Sequence, residues 1–388
     1  MPVRSGPKHE LVDAAGHVLT SWTAAAVAGT AGPDLGPVVL ATLLPDSAPT
    51  RDAVHAWLRA GVRCGGGLGL FAGTSGVLAG LRLLAGRLRD VAPAADRAGA
   101  SVAGAPPPWR TTKVGFADYD LVGGPAGVVL AQLMGAVAVR PDRLAPAAAH
   151  LMALAGSPAG FRIGAHAGHP LVGWTQGGVV TGLAHGVAGP LAALSLAARH
   201  VPGVADTVHG LAAWLASRRF TGTDGIVSWP SRASAREPGP VQLELPVGEN
   251  RRQGWCYGTP GVAWALWTAG RALVHSRHDG QPSCRLALEA MASLCAGYDP
   301  DRHLDHDPLA VCHGAAGVLL VADAFARHAA LAPAAVLRAE LLRHLTDRLD
   351  EVVRLDDRSL LSGSAGVLAA MLTATGGDRA WLRCLALY

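Results

Sequence analysis

The stretch GAAGVLLVADAF, residues 314–325, sets two glycines three apart in front of an apolar helical run. The same element recurs as GTSGVLAGLRLL from Gly73, GPAGVVLAQLM from Gly124, GVAGPLAALSL from Gly186, GTPGVAWALW from Gly258 and GSAGVLAAMLT from Gly363. Intervals of roughly 50 to 70 residues are too long for one helix and suit a pair of antiparallel helices with its loops. A helix pair cannot bury its apolar face alone, whereas stacked neighbours can. The chain is therefore expected to be all-α, with helix pairs set in a ring, as a single domain over residues 1–388.

Glycines three apart let the chain turn tightly and let backbone approach backbone where a helix begins. The runs that follow are small and apolar on nearly all sides, which predicts inner-wall helices. Segments between the turns are one-sided: in VLRAELLRHLTDRLDEVV, residues 336–353, Leu337, Leu341, Leu342, Leu345 and Leu349 fall at helical spacing, the pattern of an outer helix. Leu121 to Val139 reads as a buried helix and not a membrane span, because Gly123, Gly124, Pro125 and Gln132 interrupt it. Pro93–Lys113 and the Pro-rich Pro230–Pro246 read as surface loops, the latter near the mouth of the ring.

Half of the 388 residues are hydrophobic and 16% are charged, ample for a large packed interior. The 33 basic and 29 acidic side chains form no basic block, so no nucleic-acid partner is expected. Six scattered cysteines are too few for a disulfide framework and fit a reduced, intracellular setting. The start, MPVRSGPKHELVDAAGHV, lacks the apolar core and cleavage site of a signal peptide. A cytoplasmic location is expected, with peripheral membrane association left open.

The chemistry lies just before the glycines. Cys256 and Cys312 stand two residues ahead of theirs, and His185 and His313 one residue ahead. Equivalent positions in a ring project toward the same end of the central cavity, so Cys256, Cys312 and His313 form a candidate zinc set. Two thiolates and one imidazole leave one tetrahedral position for water or substrate, as catalytic zinc sites do. Each residue alone would read as a small buried hydrophobe or a satisfied core histidine. Three on matched repeat positions read as a site. Cys284, Cys295 and Cys384 read as core, Cys64 before GGGLG has no evident partner, and His303 and His306 read as loop-lining.

GWCYGTPG at 254–261, CHGAAG at 312–317 and AHGVAG at 184–189 resemble the signature motifs of the lanthionine synthetase C (LanC-like) family of lanthipeptide cyclases. The resemblance runs from roughly Gly67 to the C-terminus and rests on the paired W-C-x-G and C-H-G motifs. It implies an α/α toroid, a double-layered barrel of about seven helix pairs, with one zinc ion per chain on Cys256, Cys312 and His313. It also implies an acid/base role for His185 and active-site positions for Asp120, Arg252 and Tyr257. Six signature turns against seven pairs leave one pair unsigned, expected at Leu11–Ala28 with its neighbour. A familiar member of the family carries a small inserted domain. The intervals around 93–113 and 157–180 are too short for a full copy, so leader-peptide binding would differ.

The implied activity is addition of cysteine thiols to dehydroalanine or dehydrobutyrine within a leader-bearing precursor peptide, giving lanthionine or methyllanthionine rings. No segment suggests a dehydrating module, which implies a separate dehydratase as partner. A free thiol, with a pKa of about 8.5, is mostly protonated at neutral pH, and zinc would deprotonate it. His185 would then return a proton to the substrate α-carbon, oriented by Asp120, with Arg252 or Tyr257 at the enolate oxygen. A second reading keeps the same metal site but has the protein bind glutathione or add it to dehydrated residues. A third, an inert helical scaffold, is disfavoured by the matched ligand positions.

Overall fold

The computed structural model describes residues 7–62, 66–135, 138–157, 160–233, 252–274, 276–304 and 308–388. The outer layer consists of α1 (Pro7–Val27), α3 (Ala48–Val62), α5 (Ala92–Gly104), α7 (Pro141–Ala155), α9 (Val204–Ala216), α11 (Gln281–Gly297) and α14 (Ala332–Thr346). The inner layer is α2 (Leu35–Leu43), α4 (Thr74–Ala85), α6 (Pro125–Leu133), α8 (Ala188–Ala197), α10 (Thr259–Leu273), α13 (Ala315–His328) and α16 (Ser364–Ala374). Each inner helix packs on the next in that order and α16 packs on α2, so the ring closes as an α/α toroid. Short α12 (Pro300–His303) follows α11, and α15 (Leu349–Arg354) bridges α14 to α1.

The layering follows from residue type. Every residue of α6 is buried, and so is α13 from Ala315 to Phe325, which small apolar side chains permit. In α14 only Ala334, Leu337, Leu341 and Leu345 are buried, a single stripe facing inward. The second glycine of each signature turn is required by contact: a Cβ on Gly76, Gly127, Gly189, Gly261, Gly317 or Gly366 would enter the carbonyl of Leu70, Leu121, Leu183, Trp255, Val311 or Leu360, each six residues earlier. Gly258, at φ 106°, also needs a conformation that L side chains rarely adopt.

Neighbouring turns are joined edge to edge by backbone hydrogen bonds: Leu70 N to Val122 O, Leu121 N to Ala184 O, Leu183 N to Cys256 O, Cys256 N to Cys312 O and Cys312 N to Leu361 O, at 2.8–3.2 Å. At the sixth turn Leu360 N donates to Asp34 Oδ1 at 2.7 Å, linking it to the start of α2. The C-terminal segment is buried through Trp381, Leu382, Cys384, Leu385, Ala386 and Leu387. Trp255 and Trp264 donate their indole N–H groups to Leu385 O at 2.9 Å and Ala386 O at 3.0 Å. The segment thus braces the turn that carries Cys256.

Several sequence expectations need correction. Pro93–Lys113 is not a loop throughout: Ala92–Gly104 is outer helix α5, because a proline in the first turn costs no hydrogen bond. The Leu121–Val139 helix shrinks to Pro125–Leu133, with Gly135 at φ 66° beyond it. The 336–353 helix breaks after Thr346 into α14 and α15. Two two-residue antiparallel pairs, Val179–Val180 with Arg232–Ala233 and Phe220–Thr221 with Val227–Ser228, interrupt the all-α pattern. The inner helix without the signature is α2, next in sequence to α1, the helix over the expected Leu11–Ala28 region. Cys64, His306 and residues 234–246 of the Pro-rich loop lie outside the described residues, and no described helix is long and apolar enough to cross a membrane.

Candidate metal centre and active site

The turns before α8, α10 and α13 are placed side by side by the hydrogen bonds above, and this brings their variable residues together. One ligand atom each from Cys256, Cys312 and His313 lies within 4.8 Å of the others, and among the described residues no other such group of three or more could hold a metal. Cys312 Sγ stands 3.8 Å from His313 Nε2. Tetrahedral zinc with bonds of about 2.3 Å to sulfur and 2.0–2.1 Å to nitrogen sets neighbouring ligand atoms roughly 3.5–3.8 Å apart, so the residues fit the ion. Two sulfurs and an imidazole favour zinc over the hard cations.

The two thiols are unequal. A hydrogen bond from the Cys256 thiol, against the opposing effect of burial, and then His313 and His185, bring Cys312 down to about 5. Burial pushes Cys256 well up, while the nearby Arg252 charge acts in the opposite sense. A bound dication would favour the deprotonated form of both sulfurs. Burial, then the adjoining Cys256 and Asp120, raise the Tyr257 phenol far above its usual range, so its hydroxyl remains neutral.

His185 Nδ1 lies 2.5 Å from Asp120 Oδ2. The other carboxylate oxygen accepts from Gly123 N at 2.7 Å and Gly124 N at 2.9 Å, just ahead of α6, where negative charge is favoured by the helix N-terminus. An ionised carboxylate only accepts, so Nδ1 carries the proton and Nε2 is left as the basic nitrogen. Phe116 stacks on the imidazole with centroids 4.7 Å apart and planes at 21°, and the Tyr119 hydroxyl donates to His185 O at 3.0 Å. The histidine is thus held through its ring edge, its ring face and its backbone.

The structure brings together all seven residues singled out in the sequence. Cys256, Cys312 and His313 converge, His185 and Asp120 are paired, and Tyr257 and Arg252 sit close enough to act on the Cys256 thiol. Phe116 and Tyr119 were missed, because both precede the second turn in a segment without a repeat counterpart. His303 is no loop-lining residue: fully buried in α12, it accepts from Asp299 N through Nδ1 and from Gln253 N through its carbonyl, beside the site turn.

The family model for lanthionine synthetase C-like protein matches residues 53–386. Among solved structures, nisin cyclase matches with a TM-score of 0.72 at 15% identity, covering 91% of this chain and 90% of that chain. A search of curated proteins by sequence finds no match.

Proposed function

The chain belongs to the lanthionine synthetase C-like family, and we propose that it is a zinc-dependent lanthipeptide cyclase. Its substrate on this reading is a precursor peptide in which serines or threonines have been dehydrated by a separate enzyme. The observation that carries the proposal is the convergence of Cys256, Cys312 and His313 near a half-buried histidine oriented by a buried carboxylate. A metal group alone would suit a structural site; a polarised imidazole next to it suits proton transfer.

Zinc on Cys256, Cys312 and His313 would supply a Lewis acid that keeps a peptide thiol deprotonated at neutral pH. The remaining work falls to this chain's residues. His185, its Nδ1 proton held on Asp120, takes up the thiol proton at Nε2. The thiolate sulfur forms a bond to the β-carbon of the dehydro residue, and the π pair moves toward the carbonyl to give an enolate. Tyr257, a neutral hydroxyl donor, and the Arg252 cation are the groups for the enolate oxygen. His185 then returns its proton to the α-carbon, closing a thioether with no net gain or loss of atoms.

The competing reading has glutathione as the thiol. Mass spectrometry of a dehydrated precursor incubated with the protein and millimolar glutathione separates the two. Alkylation-resistant products of unchanged mass are expected, because a held peptide presents its thiol and alkene at high effective concentration. Adducts heavier by one glutathione, without internal rings across several precursors, would overturn the cyclase reading.

A further inference from the structure

We propose that residues 164–177 form the element that reads the substrate peptide, with Leu171 and Trp174 receiving an apolar side chain adjacent to the reacting cysteine. The inference rests on the cyclase reading and adds a specificity determinant to it.

Large apolar side chains on a soluble surface are usually scattered singly. Val27, Leu88, Val274 and Val336 fit that description, Leu88 in the connection between α4 and α5 and the others on or at the end of a helix of the ring. Leu171 and Trp174 do not: they lie three residues apart in one loop, 78% and 45% exposed. The Trp174 ring centroid is 6.4 Å from that of Tyr257, which directly follows the ligand Cys256. Trp174, and with it the loop that carries Leu171, therefore adjoins the site itself.

The loop is built to hold this pair still. Its neck is tied by Ile163 N to Gly178 O and Gly177 N to Ile163 O, at 2.9 and 2.8 Å. Inside it, His169 Nδ1 accepts from Leu171 N and Val172 N, and Gly173 N donates back to His169 O. His166 Nδ1 meets Thr175 Oγ1 at 2.8 Å, and Gln176 Oε1 accepts from His166 N at 2.8 Å. This is a compact loop with close ends, pinned by its own polar groups. The same His166 ring packs edge-on against Phe116 at 4.6 Å, and Phe116 stacks on His185. This loop thus reaches Tyr257 through Trp174, and His185 through His166 and Phe116.

The occupant follows from this continuity. A peptide whose thiol reaches Cys256, Cys312 and His313 must pass Tyr257, and its next side chains come against Trp174. Residues 164–177 include no Asp, Glu, Lys or Arg, so an aliphatic or aromatic side chain is the matching chemistry. A preorganised apolar ledge loses little conformational freedom on binding, so burial there converts into affinity.

The test is equilibrium binding to the zinc-loaded full chain of two fluorescein-labelled peptides, identical except for Leu or Gly beside the cysteine, and unreactive because serine replaces dehydroalanine. The Leu peptide should bind about tenfold tighter, as partial burial of one leucine side chain predicts. Leu171→Ser with Trp174→Ala should bring the ratio close to one, while Val336→Ser, on outer helix α14, should leave it at the parent value. Circular dichroism on the double variant separates loss of preference from loss of fold. Equal binding of the two peptides by the parent, or an undiminished ratio in a folded double variant, would overturn the proposal. Ring formation on the dehydrated versions is scored separately: a preserved preference without rings would reject the cyclase reading and not the ledge.

Discussion

The turns that open α13 and α16 have one backbone and two fates. Gly314 and Gly363 begin their helices with φ −110° and −104°, and their partner glycines Gly317 and Gly366 press against Val311 O and Leu360 O. The turns are bonded directly, Cys312 N to Leu361 O at 2.9 Å. Yet one carries Cys312 and His313 where the other carries Leu361 and Ser362. The ring supplies equivalent places, and side chains at two positions per turn decide whether a place is chemical or merely packed. The proposed proton-transfer and metal-binding functions should therefore be removable without touching the scaffold, and the scaffold can be strained without touching them.

The largest effect is expected on metal. The purified protein should hold about one zinc per chain, and Cys256→Ala, Cys312→Ala and His313→Ala should each lose most of it at nearly unchanged helix content. Leu361→Ala and Ser362→Ala, the same positions one turn on, should keep it. Elemental analysis decides between a site and a coincidence of sulfurs, since full occupancy in Cys312→Ala would remove that residue from the ligand set. A smaller but still large effect is expected at His185→Asn. Zinc should match the parent while ring formation on a dehydrated precursor slows by about 10²–10⁴, the usual worth of a positioned acid or base. Parental turnover in that variant would end the acid/base assignment.

How much of this was legible depended on repetition. The ring and its inner helices were readable because six turns repeat one steric requirement, and the candidate metal ligands because they stand at matched offsets within it. Asp120, Arg252 and Tyr257 came only through family resemblance, since an aspartate before a glycine pair has many explanations. Phe116, Tyr119 and Trp174 left no sequence signal: they act through the paths of the 109–122 and 160–178 segments, which no other repeat shares. Helix α5 lay hidden in the Pro93–Lys113 stretch, where a proline at the start of a helix is permitted.

The steric half of the comparison is weaker in free energy and sharper in contrast. Gly317→Ala forces a Cβ into the Val311 carbonyl and should destabilise by about 2–4 kcal/mol, as overpacking against backbone does. Gly16→Ala, mid-helix in α1 with nothing within 4 Å, should instead stabilise by about 0.5–1 kcal/mol. Denaturant unfolding reads both. Equal effects would mean that the turn glycines serve only chain flexibility.

The smallest effect belongs to the one inner helix without the signature. Helix α2 begins after Asp34, whose Oδ1 accepts from Gly36 N at 2.6 Å and from Leu360 N at 2.7 Å, so a carboxylate does the joining that backbone does elsewhere in the ring. Asp34 is only half-buried as a residue, but its carboxyl is enclosed, and burial outweighs the two amide donors to push it up to about 6. A folded-state value above the unfolded one of about 3.9 means that the folded chain binds this proton more tightly. The stabilisation is present in full below the unfolded value and is lost as pH rises through the folded one. Asp34→Asn keeps an acceptor oxygen and cannot ionise. Relative to that variant, the parent should lose about 1–2 kcal/mol between pH 4 and 7, after allowing for solvent screening. Urea unfolding of both proteins at several pH values measures this difference. A constant offset across that range would mean that Asp34 joins the ring as an ordinary carboxylate, and the seventh turn would then differ from the other six in its atoms but not in its response to pH.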